Sequence, residues 1–125
     1  MNLNQVTIPS VDVPRAVTFY QQLGLRLIVN SSPRYVRFEC PNGTTTFSIH
    51  HVEQLSPNPD LVLYFECEQL DEVVAELKSK DIVFDADPKD QDWLWREAYL
   101  RDPDGNMLCL FYAGENRLNP PWRVH

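Results

Sequence analysis

Glu66 closes a strand-like run, Val62-Leu-Tyr-Phe-Glu66, and is the first candidate for acid–base chemistry. A carboxylate desolvated by apolar neighbours titrates high, the usual route to a general base. Glu97 is a second carboxylate in a strand-like stretch, and Arg96 beside it could hold an anionic group. Neighbours on a strand point to opposite faces, so at most one of Arg96 and Glu97 shares a surface with Glu66. Surface or inter-strand ion pairs are the plainer expectation for both, and such pairs contribute little. His50 and His51 are adjacent at a strand end and cannot ligate one ion without a bulge. His51 is left as a rim residue, His125 is terminal, and no HExxH spacing occurs. Cys40, Cys67 and Cys109 show no CxxC spacing, which reads as reduced thiols in a cytoplasmic protein. Trp93 and Trp95 are two apart and share a face, where rings can stack on a flat ligand. Packing at a subunit interface is the competing use of such residues.

The elements that must position these groups come in two similar sets. Gln5-Val-Thr-Ile-Pro-Ser-Val-Asp-Val13 resembles Val62-Leu-Tyr-Phe-Glu-Cys-Glu-Gln-Leu70, a strand running into a helix start. Pro41-Asn-Gly-Thr-Thr-Thr-Phe-Ser-Ile-His50 resembles Pro103-Asp-Gly-Asn-Met-Leu-Cys-Leu-Phe-Tyr112, a glycine turn running into a strand. The two copies lie roughly sixty residues apart, the signature of an internal repeat. Strands are predicted at 6–10, 25–29, 35–39, 44–50, 61–67, 82–84, 94–101 and 107–112. A polar loop is predicted over 85–92. Asp12 can cap a helix in which Ala16, Val17, Tyr20 and Leu23 recur, Pro14 fits its first turn, and Gly24 stops it. Val73, Val74 and Leu77 form the stripe of a second helix, with Asp71 and Glu72 at its start and Lys78 and Lys80 at its end. The order is βαβββ twice.

The net charge of −7 argues against a nucleic-acid backbone as partner. No apolar run reaches membrane-spanning length, and the N-terminus has no signal-peptide pattern. One domain is expected over 1–113, with modules at about 1–55 and 58–113. A tail at 114–125, containing Pro120-Pro121-Trp122, has no regular period.

With Val11-Asp12-Val13, Phe19-Tyr20, Leu23-Gly24-Leu25 and Arg101-Asp-Pro-Asp-Gly-Asn106 in this order, the chain resembles the vicinal oxygen chelate superfamily. That superfamily groups glyoxalase I, bleomycin resistance proteins and extradiol dioxygenases. The resemblance implies an α+β fold in which two tandem βαβββ modules form an eight-stranded cup, commonly as a homodimer. It also implies a catalytic metal with one ligand from the first and one from the last strand of each module. Those positions map to Gln5, Phe47, Val62 and Cys109, an amide, two hydrocarbons and a thiol. A divalent metal needs several hard or borderline donors, so no metal cofactor is expected and a divalent ion is disfavoured.

If those four positions face the cup, alternation adds Thr7, Ile49, Tyr64, Glu66, Met107 and Phe111. The wall is then mostly apolar with a few polar points, the makeup of a small-molecule pocket. Together with Trp93 and Trp95 and the acidic charge, it suits a cationic or planar organic ligand. The expected function is metal-free binding of a small molecule, of the bleomycin-resistance kind, with Tyr64, Trp93, Trp95 and Phe111 as contacts. Two others stay open: a lyase or isomerase using a nonstandard metal set around Gln5 or a Glu66 base, and an interaction module whose cup is self-filled.

Overall fold

Eight strands build two four-stranded sheets, each with one helix. The structure, a computed structural model, describes residues 1–56 and 61–124. His125 and the module junction at 57–60 lie outside the described residues. The chain divides into two compact units, Met1–Asn58 with Asp102–Gly105, and Pro59–Arg101 with Asn106–His125.

In the first unit β1 (Gln5–Ser10) leads into α1 (Val13–Gln22), then β2 (Arg26–Ser31), β3 (Tyr35–Glu39) and β4 (Thr46–His51). The sheet order is β1-β4-β3-β2, with β1 parallel to β4 and the other pairs antiparallel. The Asp12 carboxylate accepts from the Arg15 amide at 3.1 Å and so satisfies a donor that the first helical turn leaves free. Val13, Ala16 and Tyr20 are the buried face of α1. Tyr20 lies 4.7 Å from the Phe47 ring and 6.1 Å from Phe38, centroid to centroid. Val36, Ile8 and Ile49 are fully buried on the same side of the sheet.

The second unit repeats the plan: β5 (Val62–Glu66), α2 (Leu70–Ser79), β6 (Phe84–Asp90), β7 (Arg96–Arg101) and β8 (Met107–Tyr112). Its order is β5-β8-β7-β6, again with one parallel pair, β5 and β8. The α+β architecture of two βαβββ modules is as the repeat implied. Leu70, Val74 and Leu77 are the buried residues of α2.

Three local expectations need correction. The polar stretch Phe84–Asp90 is a strand, not a loop. It is the sheet edge and pairs only with β7, with two register shifts, and an edge tolerates both its charges and Pro88. The strand predicted from Leu94 begins at Arg96, because Leu94 has φ +68° in a turn closed by the Leu94 amide on the Gln91 carbonyl. The tail contains a 3-10 turn, Gly114–Arg117.

The turn Asp102–Gly105 belongs to the first unit despite its place in the second repeat. The Tyr20 hydroxyl donates to Asp102 at 2.7 Å. Asp104 accepts from the Val11 amide at 3.0 Å and lies 3.5 Å from the Arg15 guanidinium. The Asp-Pro-Asp-Gly motif therefore clamps the start of α1.

Candidate functional site

Each sheet has one face against its helix and one face away from it. Paired residues on neighbouring strands share a face, so the registers decide which side chains meet.

On the second sheet, Tyr64 pairs with Cys109 and Cys109 with Tyr99, while Glu66 pairs with Phe111 and Phe111 with Glu97. Val62, Tyr64, Glu66, Met107, Cys109 and Phe111 therefore lie on one face, as expected. Cys109, Phe111 and Ala113 form a cluster with Val62, Trp95 and Tyr99 packed on it. Trp95 stacks on Phe111 at 4.4 Å and 13°, and Tyr64 meets both rings edge-on at 6.0 and 5.8 Å. Tyr64 is 51% exposed and Trp93 47%. The positive φ of Leu94, a conformation that disfavours a β-carbon, sets Trp93 and Trp95 by a turn rather than by strand alternation.

Glu97 joins this face and is only 3% exposed. Its two oxygens accept from the Trp93 indole N–H at 3.1 Å and the Tyr99 hydroxyl at 2.8 Å. The sequence placed it among surface ion pairs; that reading fits Arg96, which binds Asp71 in a fork at 2.9 and 3.2 Å and Asp90 at 3.0 Å. The signal available was parity: Glu97 is two residues from Trp95 and Tyr99, and all three share a face.

Glu66 is exposed and hydrogen-bonded, not desolvated among apolar neighbours as expected. Its Oε2 accepts from the Ala113 and Gly114 amides at 2.9 and 3.0 Å, and Oε1 lies 3.6 Å from Arg117. It ties the chain after β8 to the end of β5.

Burial, aided by the Glu97 carboxylate, pushes the Cys109 thiol up to about 12. Burial also raises Tyr64 and Tyr99. A group whose folded-state value exceeds its unfolded one stabilises the fold below the unfolded value and loses that contribution as pH rises through the folded one. Stability is therefore expected to fall as pH climbs above the ordinary thiol value of 9.0. Urea melts between pH 7 and about pH 10 should show this loss, and Cys109→Ala should lessen it. An equal loss in the variant would clear Cys109 of the effect.

On the first sheet the expectation is half corrected. Gln5 and Thr7 lie on the face away from α1, but Phe47 and Ile49 do not. Both pack beneath α1, and neither lines the face assigned to it. Parallel pairing sets Gln5 against Thr46 and Thr7 against Ser48, as it sets Val62 against Met107 and Tyr64 against Cys109. Ser48, not Phe47, therefore stands where Cys109 stands in the second repeat. The β3–β4 connection is one residue longer than the β7–β8 connection, and one residue of slip moves every side chain to the other face.

Gln5 donates its amide N–H to the Ser48 hydroxyl at 2.8 Å and accepts from the Thr46 hydroxyl. Ser48 and Tyr35 share a hydroxyl contact at 2.7 Å, and Arg37 donates to the Tyr35 oxygen at 2.9 Å. As a metal-ligand set these faces are poor. The Gln5 amide is engaged at both ends, Ser48 is a neutral hydroxyl, Val62 has no donor, and Cys109 is a single thiol. These donors do not fit a divalent cation, which takes carboxylate, imidazole or thiolate groups.

Residues 2–110 match the model of the Glyoxalase/Bleomycin resistance protein/Dioxygenase superfamily. The chain belongs to this superfamily. No curated protein sequence matches it. Among solved structures it is similar to a glyoxalase/bleomycin resistance protein/dioxygenase from Nocardioides, at 20% identity and TM-score 0.77, covering 100% of this chain and 90% of that one. It is also similar to a lactoylglutathione lyase from Agrobacterium tumefaciens, at 17% identity and TM-score 0.74 over 89% and 92% of the two chains. A third is a bleomycin-binding protein complexed with bleomycin, at 21% identity and TM-score 0.72 over 90% and 98%. At these identities the likeness is one of fold. Among the described residues no helix of this superfamily member is long and apolar enough to cross a membrane.

Proposed function

We propose that this superfamily member binds a small planar organic compound, preferably a cation, without a metal, on the aromatic face of its second sheet. The observation that carries this reading is the Trp95–Phe111 stack with Tyr64 edge-on and half exposed. Rings already held in place lose little freedom on binding a flat ligand, so most of the contact energy is retained. The Glu97 carboxylate beside this stack and the net charge of −7 favour positive charge in the ligand. The bleomycin-binding relative supports small-molecule binding on this fold. The mismatch between donor set and divalent cation supports the metal-free form. No observation favours a Glu66-based enzyme, since both carboxylate oxygens already have partners.

Titration with proflavine, a planar aromatic cation, tests this through tryptophan fluorescence and thermal shift. Saturable binding is expected, with stabilisation of about 2.7 kcal/mol at a hundredfold excess over Kd. EDTA treatment should leave it unchanged. Tyr64→Ala should weaken it by about tenfold, as losing roughly 1.4 kcal/mol of ring contact would. Binding that requires added metal, or that ignores Tyr64, would overturn the reading.

A further inference from the structure

The face of the first sheet away from α1 carries a chain of polar side chains that the binding of a planar compound leaves unused. Thr46, Gln5, Ser48, Tyr35 and Arg37 follow one another in hydrogen-bonding contact across β1, β4 and β3. A count of hydrogens shows what the chain lacks. Gln5 donates to Ser48, and Arg37 donates to Tyr35. Ser48 and Tyr35 have two hydroxyl hydrogens between them but only one mutual contact. One hydroxyl hydrogen is therefore left over from that contact. The Arg37 guanidinium engages Tyr35 through Nε and lies over its ring at 5.6 Å, which leaves its terminal N–H groups to spare. Among the described residues Arg37 and Arg34 form no ion pair; Glu39, on this face, is taken by Arg26 at 3.2 Å, and Glu53 lies 3.2 Å from His51. Ser48 is fully buried, so the array is set before any ligand arrives. The Ser48 hydroxyl, then Arg37, holds the Tyr35 phenol below its usual range, which makes its O–H the better donor. Beside Tyr35 lies a depression of about 410 Å³, lined by Ser31, Arg34, Tyr35, His50 and His51.

We propose that this face holds an oxyanion, a carboxylate or a phosphate group, between the Arg37 guanidinium and the Tyr35–Ser48 hydroxyl pair. A two-oxygen acceptor takes both the spare hydroxyl hydrogen and the guanidinium N–H groups, and charge-assisted bonds of this kind are the strong ones. Arg34 at the mouth adds positive charge. In a chain of net charge −7, two arginines three residues apart without acidic partners, one just before β3 and one within it, are out of keeping with a merely solvated surface. Its occupant is recognised by charge rather than by stacking.

The test uses inorganic phosphate and sodium acetate, each titrated at ionic strength held constant with chloride, and reads thermal shift and Tyr35 and Arg37 side-chain NMR signals. Saturable binding is expected, with Kd in the range of about 1 mM for a single small anion. Arg37→Gln should weaken it by about tenfold, the value of roughly one charge-assisted bond. Tyr35→Phe keeps the ring beneath the guanidinium and removes the hydroxyl, and should weaken binding several-fold; it also serves should Arg37→Gln fold poorly. Lys80→Gln, which removes a surface cation of the second unit, should bind as the parent does. Tighter binding of phosphate assigns a phosphoryl group, and tighter binding of acetate assigns a carboxylate. A response that only follows ionic strength, or equal affinity in Tyr35→Phe, would overturn the proposal whatever proflavine does at the other sheet.

Discussion

Replacing Tyr20 with alanine is expected to destabilise the protein by about 3–5 kcal/mol, the range for a buried aromatic truncated to a methyl group. Tyr20 is fully buried and touches Phe19, Phe38 and Phe47, so its removal leaves a cavity that the sheet and α1 cannot both collapse into. It also removes the donor that holds Asp102 at 2.7 Å. Since a domain of this size has only about 5–15 kcal/mol of stability, the alanine variant should be close to unfolded at 37 °C. In urea melts the midpoint should fall by about 2 M at an m-value of roughly 2 kcal/mol/M. Tyr20→Phe separates the two contributions. It keeps the packing, loses only the hydrogen bond to a charged group, and should cost about 1.5–3 kcal/mol. If Tyr20→Phe matched the parent, the clamp of the Asp-Pro-Asp-Gly turn on α1 would carry no net stability.

Trp95→Ala is expected to affect both folding and binding. Trp95 is half-buried, stacked on Phe111 and met edge-on by Tyr64. Truncation should cost about 3 kcal/mol, the low end for a large aromatic, because part of the ring already faces solvent. Without the indole, Phe111 and Tyr64 lose the partner that orders them, so proflavine affinity should fall by more than the roughly tenfold expected for Tyr64→Ala. The binding loss must be read at a temperature where the variant is folded, with circular dichroism as the check. A variant that loses stability and keeps its affinity would assign Trp95 to packing alone and move the ligand contacts to Tyr64 and Trp93.

Much of the architecture was legible because it is written in local, periodic signals. Asp12 caps α1 as its chemistry requires. The apolar stripe of α1 recurs at helical spacing, Tyr35–Glu39 alternates over its observed bounds, and Met107–Tyr112 is a short continuous apolar run. The strand Phe84–Asp90 was not legible, because an edge strand need not be apolar on either face. The site was legible on one sheet and not on the other. For β8, strict alternation from Cys109 brought Met107 and Phe111 to the correct face. For β4 the same rule, applied to an alignment one residue out, turned Phe47 and Ile49 the wrong way and passed over Ser48.

What the sequence determined by itself was the repeat and the two βαβββ orders, since these follow from residue type and near-neighbour spacing. Only the tertiary structure decided which face each strand shows, because a single extra residue between β3 and β4 inverts it. It alone also gave Glu66 to the Ala113 and Gly114 amides, put Glu97 under Trp93 and Tyr99, and left Arg37 with a hydroxyl relay instead of a carboxylate. Those partners lie on other strands or across turns, and hydrogen-bond competition among groups brought together by folding has no signature in linear order.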